Sequence, residues 1–297
     1  MSGTEHRNAA AASQAWSAVW GTSVTSITGS EPAHLQIAQW WADALRSLGY
    51  PTRVLEIGAG ASAQPARLAA RLFPKALVVA SDFRDAAASA LLKFVGNAPI
   101  EALPFADAEF DLVVSQFAFE YAEPARAVAE LSRVTRPQGA ALLLMHHPDS
   151  VLARDVAHRM RCLSAGAALH DLLAGHLTPE DRQRQLRPLL RRIEEQIAFH
   201  QRPPARQYVL RDLHDFARIA GGALANPAAA TAAEDLHLLA QCAPAILLAQ
   251  EQKRASLSTA RLTQLMENFR SAGFAAAGFQ RLEFAGKPLA WAVRLQK

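Results

Sequence analysis

Between residues 53 and 148, short apolar runs alternate with helical segments, and this alternation constrains the chain more than any other feature. Arg53–Gly58 reads as a short apolar strand, Ser62–Leu72 as a helix, and Ala76–Ser81 as a strand of Leu, Val and Ala. Ala86–Phe94 reads as helical, Asp111–Ser115 as a strand, Ala125–Thr135 as a helix and Ala140–Met145 as a strand. Apolar strands separated by helices of roughly ten residues specify βαβ units, hence a parallel sheet covered on both faces.

The flanks complete the frame. Residues 13–48 read as helical, with Trp16, Val19 and Trp20 on one face. A fresh start follows at Ser30-Glu31-Pro32, and the helix from His34 to Leu48 is closed by Gly49. Residues 150–255 contain no convincing strand. Thr178-Pro179-Glu180-Asp181 is a strong helix start, followed by Leu186, Leu189, Leu190, Ile193 and Ile197 at helical spacing. Breaks are expected at Gln201-Arg202-Pro203-Pro204 and from Gly221-Gly222 to Asn226-Pro227, with a helix from Leu236 to Leu248 kinked at Pro244. The end returns to the sheet pattern: a helix Leu257–Ala272 closed by Gly273, then strands Phe279–Phe284 and Leu289–Leu295 around Gly286-Lys287-Pro288. The expectation is an α/β chain: a Rossmann-like, seven-stranded, mostly parallel sheet with a C-terminal antiparallel hairpin and a large helical insertion. Its parts would be residues 1–149 (N-terminal helices and cofactor-binding core), 150–255 (helical lid or substrate insertion) and 256–297 (last helix and hairpin).

Composition narrows the setting. Residues 1–150 hold 11 Lys/Arg against 14 Asp/Glu, and residues 151–297 hold 20 against 13, so the basic excess lies in the helical half. Those cations are interspersed with acids, which fits a solvated helical surface better than a nucleic-acid track. Cys162 and Cys242 form no paired motif, so neither a zinc site nor a disulfide framework is indicated, and a reducing, cytoplasmic setting fits. No signal peptide is visible, and no apolar run reaches the ~18 residues that span a bilayer.

The chemistry concentrates at Val54-Leu55-Glu56-Ile57-Gly58-Ala59-Gly60-Ala61-Ser62, where a strand enters a glycine-rich turn that opens a helix. Glycines there let the backbone turn sharply and approach a ligand. Alone, Gly58-x-Gly60-x-x-Ala63 also satisfies a loose dinucleotide fingerprint. Three neighbours discriminate: Glu56 inside the strand, Asp82 after the second strand, and Leu103-Pro104-Phe105 ahead of Phe110-Asp111-Leu112-Val113-Val114-Ser115.

Together with Arg136-Pro137-Gln138-Gly139 and the closing Ala272-Gly273-Phe274, these motifs resemble class I S-adenosylmethionine-dependent methyltransferases, nearest to the small-molecule enzymes of quinone and biotin pathways. The resemblance covers roughly residues 50–148 and 257–297. It implies S-adenosyl-L-methionine as cofactor, with Gly58, Ala59 and Gly60 passing its methionine part and Glu56 holding its ammonium end. It also implies Asp82 on the ribose, Phe83 against the adenine, Ile100 and Glu101 at the adenine edge, and Gln116 and Phe117 facing the sulfonium. Two positions depart from the family pattern: Pro99 stands where an acid is frequent, and Ser62 where a third glycine is usual. Structural alternatives stay open for each: turn glycines, Asp82 as a helix cap, Glu56 paired with Arg53 or a helix end, and Phe83 and Phe117 as core aromatics. Asp111 reads as structural.

A sulfonium methyl is already activated, so such an enzyme needs alignment and exclusion of water, with a base only for a protonated nucleophile. Candidates at the ends of strands four and five are Glu120, Tyr121, His146 and His147. Adjacent histidines on an extended segment point in opposite directions, so at most one faces the site. The competing reading is a pair of exposed loop histidines. No metal is expected. The arginines at 182, 184, 187, 191 and 192 are a solvated face or a receiver for an anionic acceptor. The function implied is methyl transfer to a small molecule, without membrane or nucleic-acid partners and with the oligomeric state open. A silent cofactor-binding protein of the same fold and a dinucleotide-dependent oxidoreductase are the competing classes.

Overall fold

The computed structural model describes residues 31–84, 92–202 and 207–297. The expected helix over 13–30 with Trp16, Val19 and Trp20, the Ser30 cap, the 86–91 part of the expected crossover helix, and Pro203-Pro204 lie outside the described residues.

Apolar runs too short for helices form a sheet because their β-branched and leucine side chains can be buried on both faces. The strands are β1 (Arg53–Ile57), β2 (Leu77–Ser81), β3 (Lys93–Val95), β4 (Phe110–Gln116), β5 (Thr135–Met145), β6 (Ala276–Phe284) and β7 (Lys287–Gln296). They lie in the order β3-β2-β1-β4-β5-β7-β6, the first five mutually parallel and β7 antiparallel to both β5 and β6. The seven-stranded, mostly parallel sheet with its antiparallel hairpin is thus as expected.

Alternation along the strands sends side chains to two layers. On one face Leu55, Ile57, Val79, Val113 and Leu143 pack with helices α3 (Pro124–Val134) and α9 (Thr259–Ser271), through Leu131, Leu262 and Phe269. On the other, Val54, Val78, Leu112, Val114 and Leu144 pack with α1 (Glu31–Arg46) and α2 (Gln64–Leu72), through Ile37, Trp41, Leu45, Ala66 and Ala69. Truncating one such leucine costs about 2–5 kcal/mol. Exposed pairs such as Arg270–Glu267 contribute under about 1 kcal/mol, so packing holds the layers.

Two polar devices tie the strand starts and the loop before β4. Asp111 Oδ2 accepts from the Thr52 hydroxyl at 2.6 Å and from the Arg53 amide at 2.8 Å, bolting β4 to the entry of β1. Burial acts to raise its carboxyl, but the Thr52 and Arg53 bonds and the Arg136 guanidinium outweigh it and hold it below the ordinary range. Arg133, in the last turn of α3, donates to the Leu103 carbonyl at 2.9 Å and the Phe105 carbonyl at 2.7 Å. It is itself held by Glu130 at 2.7 Å. The Leu103-Pro104-Phe105 motif is therefore a loop pinned to a helix, with Phe105 edge-on to Phe110 at 5.1 Å.

The chain divides into two units, one of residues 30–153 with 252–297, the sheet unit, and one containing 154–251. Within the second, among the described residues, are only helices: most of α4 (Val151–Ala174), then α5 (Pro179–His200), α6 (Gln207–Ala225), α7 (Ala233–Ala240) and part of α8 (Cys242–Ala255). Thr178 caps α5, its hydroxyl accepting from the Asp181 amide at 3.1 Å. Leu186, Leu189 and Ile193 are buried with Leu169, Leu213 and Phe216. Arg159 is buried and paired with Asp212 at 3.2 Å, and Cys162 and Cys242 are free and buried.

Three expectations fail. The Ala86–Phe94 helix gives way to β3 at Lys93, because Phe94 and Val95 pair with Ala80 and Ser81, and periodicity does not separate so short an apolar run from a helix. Gly221-Gly222 does not break α6: Phe216, Ile219 and Ala220 are buried and carry the helix to Ala225, where Asn226-Pro227 stops it. The interruption assigned to Pro244 falls at Gln241, because a proline ring excludes the carbonyl four residues earlier, that of Ala240, where α7 ends. Among the described residues no helix is long and apolar enough to cross a membrane.

Candidate active site

Parallel strands deliver their C-terminal ends to one edge, where ligands dock on such sheets. At the end of β1 the backbone turns through Gly58 and Gly60, both left-handed at φ 63° and 60°. The two glycines have different surroundings. A Cβ on Gly58 would stand 2.3 Å from the Ala118 Cβ, so this glycine exists to let the β1 and β4 loops touch. A Cβ on Gly60 would meet nothing within 4 Å. Gly60 faces open space, the cradle a bound molecule would use.

Asp82 closes that cradle. Its Oδ2 accepts from the Gly60 amide at 2.9 Å, and its Oδ1 from the Arg84 amide at 3.2 Å. The bend at 58–60 and the carboxylate at 82 thus converge, as a shared ligand requires. Burial raises the Asp82 carboxyl, partly offset by these backbone bonds. Phe83, the next residue, is half-buried.

Glu56 lies beneath. Its carboxylate accepts from the Ala66 amide, in the first turn of α2, at 2.8 Å. The helix-end alternative is thus realised and the Arg53 alternative is not, since Arg53 pairs with Glu109. Burial, with a smaller push from Asp82, raises Glu56 to about 8. Around it, Ser81 Oγ donates to the Glu56 carbonyl at 3.1 Å and Ser115 Oγ to the Ile57 carbonyl at 3.0 Å, satisfying the end of β1.

The sign of the Glu56 shift gives a prediction. Between its ordinary value of 4.5 and about 8, the folded chain holds a proton that the unfolded chain has released. Stability therefore falls as pH rises across that window, by about 1.4 kcal/mol per unit, and levels off above it. Glu56→Gln keeps an acceptor for Ala66 and removes the titration. Urea midpoints at pH 5.5 and 8.5 should drop for the parent and much less for the variant; equal drops would refute the assignment.

At the end of β4, Gln116 Oε1 accepts from the Trp41 indole, and Phe117 is left-handed at φ 53° with its amide on the Leu144 carbonyl at 2.7 Å. Ile100 is buried, and its Cδ1 would lie 3.5 Å from a Cβ on Gly58. Glu101 Oε1 accepts from the Glu123 amide at 2.9 Å, so its carboxylate serves the start of α3. Pro99 is exposed.

The 3₁₀ turn Phe119–Tyr121 and the exit of β5 bring together the proton-transfer candidates. Glu120 Oε1 accepts from the His146 amide at 2.8 Å and lies 2.6 Å from His146 Nδ1. The His146 ring lies 4.4 Å from Phe117, tilted by 33°, and Tyr121 stands edge-on at 6.0 Å. His147 points elsewhere: its Nδ1 accepts from the Asp149 amide at 3.0 Å and its ring lies 4.4 Å from Trp291. Burial lowers its pKa. Both histidines are buried, which removes the exposed-pair reading.

Sequence reasoning missed Trp41, Ala118 and the two serines. Trp41 carried no motif signal, and its contact to Gln116 spans two elements far apart in sequence. Ala118 becomes visible only once the loops after β1 and β4 are seen to touch.

Residues 55–143 match the family model described as a methyltransferase domain. Two curated relatives are malonyl-[acyl-carrier protein] O-methyltransferases. That of Halorhodospira halophila is 35% identical over 115 residues, 34% of this chain and 37% of the relative. That of Methylococcus capsulatus is 32% identical over 136 residues, 40% of this chain and 47% of the relative. The chain thus spans less than half the length of the curated relatives it matches. Among solved structures, the 1,6-didemethyltoxoflavin-N1-methyltransferase of Burkholderia thailandensis, with 1,6-didemethyltoxoflavin and S-adenosylhomocysteine bound, aligns over 88% of this chain and 77% of its own, at 14% identity and TM-score 0.42. The matched segment, residues 55–143, is a methyltransferase domain, and it lies in the mostly parallel seven-stranded sheet that carries the antiparallel β7.

Proposed function

We propose that the protein transfers the methyl group of S-adenosylmethionine to a small-molecule acceptor by in-line displacement. The observation that carries this is the 2.9 Å bond between Gly60 and Asp82, which joins the open glycine cradle to a buried carboxylate able to accept two ribose hydroxyls.

The charge of the site favours this ligand over a dinucleotide. A pyrophosphate binds where a helix N-terminus offers free amides. Here Pro65 has no amide hydrogen to give, and the Ala66 amide is taken by Glu56. Asp82 would repel an anion and complement a ligand with an ammonium and a sulfonium, and a cation bound nearby would draw the proton off Glu56.

In this reading Glu56 draws the ammonium end through the loop, Gly58, Ala59 and Gly60 bring backbone against the methionine part, and Asp82 takes the ribose. Phe83, Ile100 and Glu101 line the adenine side, and Gln116 and Phe117 the sulfonium side. The bound cofactor supplies an activated methyl. The chain's share is to align the acceptor and keep water out, with His146, Tyr121 and Glu120 nearest the reacting atoms. We keep the helical segment 150–255 as an insertion between core segments 1–149 and 256–297, with a cytoplasmic location and no nucleic-acid partner.

Calorimetry with S-adenosylmethionine and, separately, with NAD tests the reading. Binding of the former alone is expected, and binding of NAD alone would overturn it.

A further inference from the structure

We propose that Glu120 and His146 form a proton-accepting pair, and that the acceptor is therefore a compound whose nucleophile arrives bearing a proton, a hydroxyl or N–H, rather than a carboxylate. This deepens the methyl-transfer reading and rests on it.

Three observations carry the inference. Glu120 Oε1 already accepts from the His146 backbone amide at 2.8 Å, so it is an acceptor; an Nδ1 only 2.6 Å away must then carry the hydrogen between them. In the neutral ring that places the hydrogen on Nδ1 and leaves Nε2 as the nitrogen able to act as a base. Second, the Glu120 side chain is fully buried, and its Oε2 has no hydrogen-bond partner among the described residues. Burying an under-satisfied carboxylate is costly, and one backbone amide does not require it. An imidazolium forming beside it gives that charge a use. Third, the pair adjoins the cofactor cradle: Ala118, in contact range of Gly58, leads directly into the turn that bears Glu120. Phe117 and Tyr121 both pack against the ring, at 4.4 and 6.0 Å.

The step balances without another reagent. His146 Nε2 takes the acceptor's proton as the acceptor's lone pair bonds the methyl carbon. The electrons of the breaking carbon–sulfur bond stay on sulfur, leaving a neutral thioether. The imidazolium is stabilised by the Glu120 carboxylate and returns its proton to solvent after product leaves. His146 is the catalytic residue, and Glu120 is a positioning residue that acts through it. A carboxylate acceptor is already ionised near neutral pH and would need neither.

Two measurements on the intact chain test the pair. Nitrogen-15 spectra of the imidazoles, with S-adenosylhomocysteine present, should show His146 protonated at Nδ1 and bare at Nε2, and Glu120→Ala should shift it toward the other tautomer. A parent protein with Nε2 protonated overturns the proposal. Methyl transfer is then assayed on substituted phenols, primary alcohols and N–H heterocycles, with a malonyl thioester as the carboxylate probe. Transfer to a proton-bearing probe is expected. His146→Ala should lower it by about 100-fold or more for a weakly acidic phenol, and much less for 4-nitrophenol, which is largely ionised unaided. Glu120→Gln should fall between. Methylation of the malonyl thioester alone, or of no proton-bearing probe while S-adenosylmethionine still binds, overturns the proposal. Loss of cofactor binding in the parent would instead remove the methyl-transfer reading itself.

Discussion

Asp82→Ala is expected to weaken S-adenosylmethionine binding by about 100-fold or more while the chain stays folded. Each hydrogen bond from a ribose hydroxyl to a buried carboxylate is worth about 1.5–3 kcal/mol, and two are lost together. Every 1.4 kcal/mol is tenfold in affinity. The same carboxylate also fixes the Gly60 amide, so the loop loses its anchor in the same variant. Asp82→Asn separates the contributions: it keeps an acceptor for Gly60 but loses the charge, and should lie between parent and alanine. Calorimetry supplies the affinities and a thermal melt the folding control. An alanine variant that binds like the parent would place the ribose elsewhere.

The glycine pair gives the second large effect, and the two positions should fail in different ways. Gly58→Ala puts a Cβ 2.3 Å from the Ala118 Cβ, on a backbone at φ 63°. Neither alanine has a rotamer to change, so β1 and β4 loops must separate, at a cost of about 3 kcal/mol or more in stability. Gly60→Ala meets no atom within 4 Å and incurs only the left-handed strain, about 1–2 kcal/mol. Its methyl group projects into the cradle, so cofactor affinity should collapse while the melting temperature falls modestly. Two variants with the same stability and the same affinity would contradict the assignment of one glycine to loop contact and the other to the ligand.

Most of the sheet could be read from the sequence, because β1, β2, β4 and β5 are continuous apolar runs bounded by turn residues, and burial on both faces leaves them no other use. β3 was not legible: three residues, two of them apolar, follow no period long enough to judge. In the helical segment the caps were legible, as at Thr178, because they act within one turn. The breaks at Gly221-Gly222 and Pro244 were not, since burial of Phe216, Ile219 and Ala220 overrides the weak preference of glycine, and a proline acts on the carbonyl four residues before it. At the site, residues that follow strands directly, such as Gly58, Asp82 and His146, could be located by spacing. Their partners could not, because contacts such as Glu120 with His146 or Trp41 with Gln116 join elements far apart in sequence that only the folded chain brings together.

One consequence of the strand order concerns how the molecule is made. β5 is inside the finished sheet, yet its neighbour β7 comes from beyond the whole helical segment, with Leu142 to Leu144 paired against Ala292 to Arg294. Until that late strand arrives, a greasy row of leucines has unpaired amides and carbonyls along one side. Such a border can recruit any extended chain nearby, and distant pairing is slow to form. Nascent or truncated forms lacking residues 276–297 should therefore clump or be captured by chaperones, even though every residue of the cofactor cradle is already in place.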